Sequence, residues 1–99
     1  MITCFIRYDI DLFKKAEFER YGKVWNSVIP RLGVDLVGYY APHEGSATTG
    51  YAVYNLENLA AYEAYRARLA ADPEALDNVA FARAERIFTR EERIFLRKV

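Results

Sequence analysis

The segment Ile2-Thr3-Cys4-Phe5-Ile6-Arg7-Tyr8-Asp9 decides the fold. At the two-residue period of a strand, Ile2, Cys4, Ile6 and Tyr8 form one row, and Thr3, Phe5, Arg7 and Asp9 form the other. The first row is apolar; the second sets Phe5 beside a mid-strand arginine. A long helix is expected over residues 12–30, with Asp11 as its N-cap. Phe18, Tyr21, Trp25, Val28, Ile29 and Leu32 recur at three- and four-residue spacing and make a core-facing stripe, while Lys14, Lys15, Glu19 and Lys23 lie off it. Pro30 is expected to end the helix near Ile29, and Gly33 to reverse the chain.

Further along, residues 34–41 predict a second strand closed by Pro42, and residues 42–50 a loop carrying His43, Glu44 and Ser46. A third strand covers 51–56. Asn58 caps a second helix reaching about residue 71, with Leu59, Tyr62, Arg66 and Leu69 on one side. Asp72-Pro73 restarts the helix, an N-cap acid followed by proline at the first helical position. Leu76, Val79 and Ala80 are its expected buried side. A last strand over 91–98 places Ile94 and Leu96 on one face and Arg93, Phe95 and Arg97 on the other. The same reading sets Arg93 and Arg97 on the sheet face of Arg7.

This order of elements predicts an α+β, ferredoxin-like split βαβ fold: a four-stranded antiparallel sheet with helices on one face. Both strand faces carry large apolar groups, and the helices cover only one. The uncovered face calls for a partner, most simply a second copy related by a two-fold axis, giving a homodimer.

Composition narrows the function. With 99 residues, the chain has room for one domain, 1–99. Lys plus Arg and Asp plus Glu are both 14, so the net charge is zero and a generally basic nucleic-acid binder is not expected. No run is long and apolar enough to span a bilayer, and the first residues lack the pattern of a secretory signal, so a cytoplasmic location without membrane contact is expected. The lone Cys4 forms no intrachain disulfide and shares the apolar row of the first strand, which predicts a buried, inert thiol. Arginine outnumbers lysine ten to four and tyrosine occurs eight times, and both suit interfaces and polar-mouthed pockets.

His43 is the only histidine and the natural acid–base candidate near neutral pH; the competing reading is a solvated turn residue. With no second ligand at metal-site spacing, neither a metal ion nor a haem or other cofactor is expected. Arg7 would hold an anionic oxygen of a ligand, or pair with Asp9, Asp35 or Glu92; the pair is favoured, as the usual fate of a buried charge. Tyr39, Tyr51 and Tyr54, with Glu44 and Arg93, are further ligand-binding candidates, although neighbours along a strand point opposite ways. Trp25 falls on the helix stripe and reads as core.

Four stretches carry a resemblance to a known family: Ile6-Arg7-Tyr8 leading into Tyr21 and Trp25; Leu36-Val37-Gly38-Tyr39-Tyr40; Pro42-His43-Glu44-Gly45; and Tyr54 followed by Leu59-Ala60-Ala61-Tyr62-Glu63 and Arg68-Leu69-Ala70-Ala71-Asp72-Pro73-Glu74. In order and spacing they resemble the NIPSNAP family of the dimeric α/β-barrel superfamily. Leu12-Phe13-Lys14 stands where that family often has Pro-Gly-Lys, and Ala75 where it often has tryptophan. The resemblance implies a homodimer with a cavity in each half. It implies no single reaction, because relatives in the superfamily include cofactor-free monooxygenases, isomerases, haem-degrading enzymes and stress-response proteins. Two functions follow as expectations. One is binding of a small apolar or aromatic ligand between sheet and helices, with cofactor-free oxygenase- or isomerase-like chemistry. The other is a non-catalytic scaffold or interaction module whose aromatic sheet face is consumed by the dimer interface.

Overall fold

Strand β1 (Ile2–Ile10) is central in the computed structural model, which describes residues 1–99. After it come α1 (Lys15–Arg31), β2 (Asp35–Tyr40), β3 (Thr49–Leu56), α2 (Leu59–Ala70), α3 (Pro73–Glu85) and β4 (Phe88–Leu96). The sheet order is β2-β3-β1-β4 with every pairing antiparallel, and the helices lie on one face, as the split βαβ reading requires.

Local chemistry sets the element ends. The Asp11 carboxylate accepts from the Phe13 N–H at 2.9 Å, closing a short turn instead of capping a helix, so α1 begins at Lys15 and not at residue 12. Pro30 does not stop α1. Its ring falls on the solvent side in the last turn, opposite the exposed Asn26 carbonyl it deprives of a partner, where water can satisfy that group. Gly33, at φ 87°, then makes the reversal. Asn58 and Asp72 are the caps expected of them, accepting from the N–H groups of Ala61 and Ala75 at 2.9 Å each. Asp72 is also gripped by both Nη atoms of Arg31 at 2.7 and 2.9 Å, tying the end of α1 to the start of α3.

Further expectations change. The buried side of α3 is Ala75, Asn78 and Ala82, not Leu76, Val79 and Ala80. Helix α3 lies close against α1, and the seam admits small residues; Asn78 donates there to the Tyr21 carbonyl at 3.0 Å. Strand β4 starts at Phe88, not at residue 91, because the polar run after it pairs along β1 from Ile10 onward.

Register then sorts the faces. Cys4, Ile6, Tyr8 and Ile10 of β1, with Ala52, Tyr54 and Leu56 of β3, are buried under the helices. Arg93 lies opposite Ile6 and therefore points to the helix side, whereas Arg7 lies opposite Glu92 on the open side. The two arginines are on opposite faces, against expectation. The open face carries Phe5, Tyr40, Tyr51, Val53, Ile94 and Leu96. Its charged end has Arg7 3.6 Å from Asp9, and Arg90 2.6 Å from Glu92. No helix of the chain is long and apolar enough to cross a membrane.

The core centres on Tyr8. Its ring meets Phe88 and Phe18 edge-on at 4.8 and 5.2 Å, and its hydroxyl is 3.2 Å from that of Tyr39. Gly22 permits this, since a Cβ there would stand 3.0 Å from the Tyr39 Cβ.

Candidate functional site

The helices approach the sheet closely over β2 and β3 but stand off from β1 and β4. The gap forms a cavity of about 630 Å³. Ile6, Tyr8, Tyr39 and Tyr54 line it from the sheet, together with Phe88, Thr89, Glu91 and Arg93 of β4. Helix α1 contributes Tyr21, Trp25 and Ile29; α2 contributes Tyr65, Arg66 and Leu69; α3 and its C-cap contribute Val79, Ala82, Arg83 and Arg86. Trp25, read as core from the helix stripe, is buried and lines the cavity as well.

Most of the lining is aromatic or aliphatic. Burial, with the neighbouring phenols, pushes the Tyr8 and Tyr39 hydroxyls well above the ordinary tyrosine pKa. Burial also raises Tyr21 and Tyr54, and lifts Tyr65 to about 12. All five are therefore neutral near pH 7. They can donate and accept hydrogen bonds but cannot act as phenolate bases. The Trp25 indole N–H lies close enough to Tyr21 to oppose that rise slightly, yet it has no hydrogen-bond partner of good geometry.

Charge enters the lining through four arginines and Glu91. Arg93 Nη2 donates to Glu91 Oε1 at 3.1 Å, both side chains being about two-thirds or more buried. That is the one side-chain hydrogen bond the protein gives Arg93, and its Nε–H is enclosed with no acceptor. Burial works against the Arg93 charge, but Tyr62 and Glu91 outweigh it and hold the guanidinium cationic. Arg66, Arg83 and Arg86 line the cavity from exposed positions, and none forms an ion pair. Cys4 is fully buried, and burial pushes its thiol up, away from the reactive thiolate.

Of the residues singled out from sequence, Tyr39, Tyr54 and Arg93 come together in the cavity. Tyr51 lies on the open sheet face opposite Arg7, and Arg7 pairs with Asp9 there. His43 and Glu44 sit in the exposed β2–β3 loop, outside the cavity lining. Sequence reading did not single out Tyr8, Tyr21, Tyr65, Arg66, Arg83, Arg86 or Glu91 as site residues. The one available signal was alternation: Glu91, Arg93 and Phe95 share a strand face. No cluster of three His, Cys, Asp or Glu side chains is placed to hold a metal ion.

A profile of the NIPSNAP family matches residues 3–99. The chain belongs to the NIPSNAP family. Solved NIPSNAP structures agree in fold. An uncharacterized NIPSNAP domain protein from Burkholderia xenovorans aligns over 100% of this chain and 95% of its own, at 22% identity and a TM-score of 0.80. A NIPSNAP family protein of unknown function from Agrobacterium tumefaciens aligns over 100% of this chain and 88% of its own, at 21% identity and a TM-score of 0.79. The fold extends beyond NIPSNAP to SnoaB, a cofactor-independent oxygenase from Streptomyces nogalater, at 18% identity and a TM-score of 0.69 over 98% of this chain and 91% of that one. No curated protein matches the sequence.

Proposed function

We propose that this NIPSNAP protein binds a small, flat, largely apolar molecule in the cavity between sheet and helices, and that it does so as a homodimer paired through its open sheet faces. The observation that supports the first part is the cavity itself. Its volume of about 630 Å³ falls within the ~300–1,000 Å³ of small-molecule sites, and its walls are mostly aromatic and aliphatic with a few polar and charged groups among them. The second part is supported by the open face, where Tyr40, Tyr51, Ile94 and Leu96 are all more than 40% exposed on the side the helices leave bare.

The two parts do not compete for the same space. The cavity is on the helix side of the sheet and the apolar face on the other, so pairing of open faces leaves the cavity intact. The scaffold reading, in which the dimer interface takes up the aromatic sheet face and no cavity survives, is the less favoured one, because the cavity lies on the opposite face of the sheet. Oxygenase chemistry, the class named for SnoaB, or isomerase-type chemistry would be run here by Arg93, Glu91 and neutral tyrosine hydroxyls that steady a developing oxyanion. His43 has no part in this reading, because it lies outside the lining.

Native mass spectrometry of freshly purified protein, with denaturing analysis of anything released, tests both parts. The expected result is a dimer that carries a small molecule or takes up 2-naphthalenemethanol or 2-naphthoate. A monomer overturns the pairing. A protein that neither carries nor takes up an aromatic small molecule overturns the ligand reading.

A further inference from the structure

We infer that the ligand is an anion, a flat aromatic or unsaturated carboxylate whose charged group meets Arg93 while its body lies among the tyrosine rings. The inference rests on the cavity being a ligand site.

The chain as a whole has no net charge, yet the cavity lining is strongly one-sided. Four guanidiniums, Arg66, Arg83, Arg86 and Arg93, stand against the single carboxylate of Glu91. Glu91 is already engaged with Arg93 at 3.1 Å, so a cationic ligand would find no free acid. The tyrosines cannot supply negative charge either, since burial holds their hydroxyls protonated. Arg93 is under-used by the protein: of its five N–H donors, Nη2 alone reaches a side-chain acceptor. A planar carboxylate matches the fork of a guanidinium and would fill donors the fold leaves free.

The position of the four cations suits a division of labour. Arg93 is largely buried on β4, where solvent screens it least. Arg66, Arg83 and Arg86 are exposed on α2 and at the end of α3, where their charge draws an anion toward the cavity they line.

The test is isothermal titration at pH 7.5 with two probes of the same body, 2-naphthoate and 2-naphthalenemethanol. The carboxylate should bind at least ~10-fold tighter, the gain expected of charge-assisted hydrogen bonds. Arg93→Gln should bring the two probes to within about threefold, leaving only screened attraction from exposed cations. Glu91→Gln should act the opposite way, widening the preference by freeing the Arg93 Nη2 donor. If Arg93→Gln does not fold, Glu91→Gln still decides the matter by its sign. Equal or tighter binding of the alcohol overturns the anion inference and leaves the cavity reading standing. So does a preference that neither variant alters. Binding of neither probe overturns the cavity reading along with it.

Discussion

Replacing Ala82 by leucine asks whether the space between sheet and helices is open in solution. Ala82 lies on α3, is 8% exposed, and borders the cavity. Leucine adds three carbons at a helix position where both residues are good helix formers. If the cavity is open, those carbons move from water into it, at ~0.8 kcal/mol each, or up to ~2.4 kcal/mol in all. Fixing the leucine rotamer costs about 0.5–1 kcal/mol, so Ala82→Leu should stabilise the protein by roughly 1–2 kcal/mol. In a domain of this size that raises Tm by roughly 5–15 °C. Urea denaturation at one fixed protein concentration measures the change. The same variant should bind 2-naphthoate more weakly, because it occupies the ligand's space. A loss of ~1–3 kcal/mol, the usual cost of overpacking, would mean that α3 rests on the sheet and that no cavity exists.

Other sites give independent checks. Gly50→Ala should cost about 1–3 kcal/mol by urea denaturation, because its Cβ would stand 2.7 Å from Ile10 Cδ1 and 2.8 Å from the fully buried Phe18 ring. Arg86→Gly should raise stability by ~0.5–1 kcal/mol, since Arg86 caps α3 in the left-handed region at φ 50°, where glycine bears no Cβ penalty; the same change should weaken 2-naphthoate binding. Arg31 and the Ala75 N–H hold the Asp72 carboxyl below its ordinary pKa, so its contribution is whole above the unfolded carboxylate pKa and is lost as pH falls through the folded one. Thermal melts from pH 7 down to pH 2 should therefore fall more steeply for the wild type than for Asp72→Asn, which keeps the cap acceptor without the charge; parallel curves would remove Arg31–Asp72 as the cause.

Much of this architecture was legible where chemistry is local. Asn58 and Asp72-Pro73 announce helix starts because a cap needs only its own side chain and an N–H three residues on. The row Cys4, Ile6 and Tyr8 announces its burial because strand parity is a property of consecutive residues. Legibility fails where the deciding partner is distant in sequence. Arg93 joins the cavity because it pairs in register opposite Ile6, and nothing near residue 93 reports that pairing. Polar Thr89-Arg90-Glu91-Glu92 forms strand because β1 offers backbone partners, against the side-chain pattern. On α3 the large apolar Leu76 and Val79 suggested the inner face, but the close seam with α1 takes Ala75 and Asn78, and Ala82 is buried beside the cavity. The cavity residues themselves come from all three helices and all four strands, so no local spacing gathers Tyr65, Arg66, Arg83, Arg86 and Glu91.

The central claim is that a ligand enters between the sheet and the helices. Trp25 is the only tryptophan and lines the cavity, so its indole N–H gives one resolved signal from a lining residue in a ¹H–¹⁵N correlation spectrum. Titration with 2-naphthoate should shift that signal together with the backbone signals of Ala82 and Arg93, and leave Tyr51 and His43 unmoved. Shifts confined to the open face around Tyr51, or to the loop around His43, with Trp25 unchanged, would contradict it.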